Sequence, residues 1–191
     1  EEGKMDRDDA SIGGEPSDVC IICEFEDLPE QLVIDADFPT TLADEYLLNE
    51  HGRLEIHKVY NASLVYPKVS QTFVRALHPT AAKREDLLLL KITELRARAK
   101  ELDIDTTAID LKISSAIRRQ IWDSTPDLAL AATDIPLDQQ TAKAIWSQLK
   151  SYLPSYALFK SDRASTDQDS EAQDPMKAAV NEAIKAQEQE L

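Results

Sequence analysis

The feature that most limits what this chain can fold into is a change of hydrophobic period at His78-Pro79. Before it, apolar residues come in short runs rich in β-branched and aromatic side chains, "DVCIICEFE", "QLVIDADF", "RLEIHKVYNASLVY" and "KVSQTFVRAL". Turn signals at Leu28-Pro29, Asn49 to Gly52 and Tyr66-Pro67 part them, the pattern of a small antiparallel sheet. After it, Leu88, Ile92, Leu95, Ala99 and Leu102 recur at spacings of 4, 3, 4 and 3, the seam of a helix over about two heptads. Two periods in sequence imply an α+β fold. We expect a β-rich lobe over residues 1–79 and a helical arm of antiparallel helices over 80–153. Over 154–191 we expect a returning strand at Ala157 to Phe159, an acidic loop and the start of another helix.

Finer expectations follow from local signals. "TTLADEYLLNEHG" resembles one short helix with a Thr cap and a Gly stop. The seam helix is expected across "KREDLLLLKITELRARAKEL", followed by the connector "DIDTTAID", in which Thr107 and Asp110 are placed like a capping box. Ile109, Ile113, Ile117 and Ile121 then repeat every four residues, so residues 83–123 should form an antiparallel pair. Pro126 and Pro136 bracket a further connector, and Ala142, Ile145, Trp146 and Leu149 share one face of a third helix. Asp174-Pro175 has the form of an N-cap and first helical residue.

Charge narrows the partners. The formal net charge is -15, with residues 1–50 at -14, residues 51–160 at +4 and residues 161–191 at -5. Acidic ends around a mildly basic middle argue against nonspecific nucleic-acid binding by the whole surface, because phosphate contacts supply most of that affinity. A local contact through Lys91, Arg96, Arg98, Lys100, Arg118 and Arg119 stays open, although Glu94, Glu101 and Asp110 are interleaved with them. No apolar run approaches the roughly 18 residues of a membrane span, and no signal peptide is evident, so a soluble, cytoplasmic chain with no membrane partner is expected. It begins at Glu1 without an initiator Met and ends at Leu191 inside a helical pattern, so both ends are expected to be cuts through a longer protein.

Chemistry-bearing residues are sparse. Cys20 and Cys23 form a C-x-x-C, but on a strand positions i and i+3 face opposite ways, so we expect buried, inert thiols rather than a metal or redox pair. Asp35 and Asp37 share a strand face without a sign of a desolvated pocket. His51, His57 and His78 lack zinc-motif spacing, and no role is assigned to them. Asp167, Asp169 and Glu171 imitate a calcium loop, but Ala172 and Ala178 stand where Gly and the bidentate Glu are needed. There is no G-x-x-x-x-G-K-[ST], G-x-G-x-x-G or G-x-S-x-G, and the chain holds four glycines in all. We expect no catalytic, cofactor or metal residue in this chain.

Three stretches, "GKMDRDDASIGG", "ICEFEDLPEQLVIDADFPTTLADEYLLNEHGRLEIHKVYN" and "LPSYALFKSDRASTDQDSEAQDPMKAAV", resemble an internal part of bacterial ABC-type ATPases of the AAA family related to the overcoming-lysogenisation-defect (OLD) group. In such proteins the phosphate-binding loop precedes a segment like Gly3 to Ser11, and the signature motif and Walker B strand follow a segment like the end of this chain. Some relatives carry a Toprim nuclease domain and act in phage defence. The resemblance implies a non-catalytic middle portion that couples nucleotide state to a helical arm. ATP and Mg would then belong to the parent protein. Its partners would be the rest of the ATPase head, a second copy in a homodimer, and DNA. The acidic tract with Ser161, Asp162, Arg163, Asp167 and Asp169 is the candidate interaction site. The alternative is a self-standing helical adaptor that binds a protein through the Leu88 to Leu102 seam.

Overall fold

A computed structural model describes residues 5, 7–35, 38–139 and 141–154, without the side chain of Asp35. The chain divides into two units, Met5–Leu153 and the ends Glu1–Lys4 with Pro154–Leu191. Everything below concerns the first. The expected returning strand, acidic loop and Asp174 helix lie outside the described residues.

The fold is α+β. Strands β1 (Val19–Phe25), β4 (Leu54–Asn61), β5 (Lys68–Pro79) and β6 (Leu130–Pro136) form an antiparallel sheet in the order β1-β4-β5-β6. A second, two-stranded sheet pairs β2 (Leu32–Asp35) with β3 (Phe38–Thr40). Helices α1 (Ile92–Glu101) and α2 (Ser114–Asp123) fall between β5 and β6, and α3 (Ala142–Tyr152) follows β6. Ile56 lies opposite Val74, and Val74 opposite Ile135, so one face of the large sheet carries a row of buried branched side chains. That row belongs to a single apolar cluster with Leu95 and Ala99 of α1, Ile117, Ile121 and Trp122 of α2, and Ile145 and Leu149 of α3. Each such side chain contributes roughly 1.5–3 kcal/mol on burial, so helices and sheet are held by the core they share.

Four local expectations are corrected. The seam helix starts only at Ile92, and Leu87–Leu89 is a single 3-10 turn ended by extended Leu90. Extended backbone at Leu90 and Lys91 interrupts the helical run, so Leu87 and Leu88 reach the core from a separate turn before α1 begins. Thr41 does accept the Asp44 amide at 2.9 Å, but residues 42–46 form turns rather than a helix, because Tyr46 adopts φ +52°. Asp105 and Asp110 are taken up in local turns with the amides of Thr107 and Lys112, so no box forms at Thr107 and α2 starts at Ser114. The stretch between Pro126 and Pro136 contains β6, the open edge strand beside β5, where a terminal Pro costs no ladder bond.

Candidate functional site

The best-built polar geometry joins the turn after β3 to α2. Helix α2 buries Ser114, Ile117, Arg118, Ile121 and Trp122, so a guanidinium stands within its apolar stripe. Arg118 Nε donates to Glu45 Oε2 at 2.7 Å and Nη2 to Oε1 at 2.9 Å, and Thr40 Oγ1 donates to the same Oε1 at 3.0 Å. Both side chains are 1% exposed. Burying two charges is costly, and only this forked, saturated geometry makes the burial tolerable. A cavity of about 460 Å³ lies alongside, lined by Phe38, Thr40, Glu45, Ile113 and Ala116, with the Asp44 and Arg119 ion pair also on its wall.

An aromatic cluster backs the pair. Trp122 meets the Tyr46 and His78 rings edge-on, at 5.1 and 5.9 Å between centroids, and donates its indole N–H to the Arg84 carbonyl at 3.0 Å. His78 donates Nδ1–H to the Tyr46 carbonyl at 3.0 Å, and its buried Nε2 has no hydrogen-bond partner. Burial pushes this imidazole below its ordinary value, against the opposing pull of the Tyr46 and Glu85 backbones and the Glu45 charge.

The other face of the sheet carries a second polar chain. His57 Nε2 lies 2.7 Å from Glu55 Oε1, Asn49 Nδ2 donates to Glu55 Oε2 at 2.9 Å, and Cys20 Sγ is 3.7 Å from His57 Nδ1. The Asn49 hydrogen bond, aided by His57, holds the Glu55 carboxyl below its usual range. Cys20 and Cys23 are exposed, against the expectation of burial, because β1 is an open edge strand with solvent on both faces.

Ser161, Asp162, Arg163, Asp167 and Asp169 lie outside the described residues. Leu88, Leu95 and Ala99 of the seam are buried, and Ile92 and Leu102 are packed against the same core. The seam on which the adaptor alternative depends is packed into the chain's own core. Of the expected basic strip, Lys91, Arg96, Lys100 and Arg119 stay exposed, and only Arg118 and Arg98 turn inward. Arg118 is buried on Glu45, Arg98 forms a fork on Asp86 at 2.6 and 2.9 Å, and Arg96 donates to the Leu111 carbonyl. Glu45 and Arg118 were not singled out from the sequence. The available signal was Arg118 standing four residues after Ser114 and four before Trp122, inside the stripe.

The structure thus defines an α+β unit in which strands and helices share one core and a buried charge pair. A family model described as AAA ATPase domain matches residues 4–191, and the chain belongs to that family. No curated protein and no solved structure matched the chain. Among the described residues, no helix is long and apolar enough to cross a membrane.

The nucleotide and Mg that this family implies can be tested against the residues present. Gly13 (φ +84°) and Gly52 (φ +72°) occupy turns, but strands follow them rather than a helix N-terminus, and no lysine stands in phosphate-loop register. These residues do not build a phosphate cradle.

Proposed function

We propose that the chain is the non-catalytic middle portion of an ABC-type, OLD-like ATPase, coupling the nucleotide state of the head to a helical arm. The observation that carries this reading is a family match over residues 4–191 in a sequence without a phosphate-binding loop. The Glu45–Arg118 pair supports it, since a unit that transmits a displacement must move its β part and its helices together. ATP and Mg would be held by other parts of the head, which would act as a homodimer in DNA processing or phage defence. The tract with Ser161, Asp162, Arg163, Asp167 and Asp169 would meet another part of that assembly, and Arg163 suits a carboxylate or phosphate.

Titration calorimetry tests the reading. The isolated 191-residue chain is expected to give no heat of binding with ATP and Mg, and micromolar binding would overturn it. In the full ATPase, Arg163→Ala should lower ATP turnover at matched folded fraction, and equal rates would reduce the tract to a solvated link.

A further inference from the structure

We propose that the outer edge of β1 is a docking site for an extended segment of a partner protein, apolar along its middle and basic at its ends, which adds to the large sheet as a further strand. The two edges of that sheet differ. At one, β6 ends in Pro136 and carries Asp134, and proline and charge are means by which an edge is kept from pairing. At the other, β1 has seven residues with no proline or lysine, and its register with β4 runs unbroken from Val19 opposite Tyr60 to Phe25 opposite Leu54. Its charged residue, Glu24, is drawn to Arg53 and Asn49 at 3.1 and 3.3 Å. Among the described residues β4 is the strand neighbour of β1 on one side and no strand lies on the other. That side presents a row of backbone N–H and C=O groups that another extended chain can match in register.

Side chains narrow the choice of occupant. Successive strand residues point to opposite faces, so Ile21 and Ile22, 43% and 56% exposed, stand one on each side of the edge. The β4–β5 turn, at the Val19 end of the ladder, exposes Leu64, Val65 and Tyr66 as well. Solvated apolar side chains on both faces stabilise nothing until a neighbouring strand covers them. The ends of β1 are acidic: Glu15 and Asp18 precede it and Glu26 and Asp27 follow it, all exposed. Arg53 reaches Glu26 at 3.0 Å and offsets part of this charge. A second copy of the chain is disfavoured, because two β1 strands paired antiparallel about Ile22 would set each Asp18 against the other strand's Glu26. An apolar strand with lysine or arginine at its ends meets both the faces and the charges.

The experiment titrates the isotope-labelled 191-residue chain with a peptide of alternating valine and threonine between lysine pairs, and follows amide shifts and hydrogen exchange by NMR. Shifts and new protection are expected along Val19–Phe25 and not along β6. The same peptide with glutamate in place of lysine should bind about 10-fold more weakly at low salt, and Asp18→Asn with Glu26→Gln should remove most of that preference. A peptide N-methylated along its strand keeps the side chains but loses the backbone donors, and should not bind. Ile22→Lys, a change at an exposed position, should weaken binding of the lysine peptide by about 10-fold or more. Shifts that fall on the acidic residues 161–191 instead of β1, undiminished binding of the N-methylated peptide, or no binding at all would overturn the proposal. Sedimentation showing a dimer of the chain that Ile22→Lys dissolves would overturn it too, since the edge would then be taken by a second copy.

Discussion

Arg118 and Arg119 are neighbours in sequence, as are Asp44 and Glu45, and each arginine reaches back to one of those acids. The inner pair, Arg118 with Glu45, is 1% exposed on both sides, whereas Arg119 and Asp44 are 57% and 31% exposed. The two pairs share chemistry and loop span, so the difference between them isolates burial. Inside, each charge depends on the other because water cannot replace it. Outside, water and salt substitute for either partner at little cost. The inner pair fixes the turn to the helix, while the outer pair only decorates the same contact.

The largest expected effect concerns a buried charge with no partner. Leu95→Asp places a carboxylate at a site that is 0% exposed and should destabilise by about 4 kcal/mol or more in a denaturant titration. A small effect would show that the core tolerates bare charge, and the contrast between the two arginines would lose its basis. Next comes Arg118→Ala, which strands Glu45 and should cost about 3–5 kcal/mol by the same assay. Replacing both partners with apolar residues, Glu45→Leu with Arg118→Met, should recover much of that loss, since neither charge is then left bare.

A smaller effect sharpens the comparison through pH. Burial lowers the folded pKa of His78 below its ordinary 6.5, so the unfolded chain binds the proton more readily than the folded one. Stability is then full above 6.5 and falls as pH drops below it, until the lowered folded value is reached. Urea midpoints measured from pH 7.5 to 5.5 should decline, and His78→Gln should flatten the slope. An unchanged slope would mean that another group titrates there. The smallest effect belongs to the outer pair: Arg119→Ala should cost no more than about 1 kcal/mol, and added salt should erase even that.

Legibility in the sequence divides along the same line. Strands β1, β4 and β5, the α1 seam and the apolar face of α3 were visible because their partners are apolar and periodic. Strand β6 was missed because Ala131, Ala132 and Thr133 carry little apolar signal, and only the ladder to His78, Leu77 and Ala76 makes them a strand. The Thr41 turn began like a helix, and the positive φ of Tyr46 that stops it answers to the tertiary contact with Trp122. Glu45 and Arg118 are 73 residues apart, and no local pattern pairs them. The same holds for Cys20 and His57, whose neighbourhood is a matter of strand register, so the histidine had no visible partner before the fold was known.

The link between the β part and the helices rests on the inner pair, and two double-mutant cycles test it most directly. One cycle uses Glu45→Ala with Arg118→Ala, the other Asp44→Ala with Arg119→Ala, both read by equilibrium denaturation of the 191-residue chain. The account predicts an interaction energy toward the upper end of the ~0.5–3 kcal/mol range for the inner pair, and below about 1 kcal/mol for the outer one. Equal and small couplings would contradict it, since nothing in the Glu45–Arg118 contact would then hold the β part and the helices together.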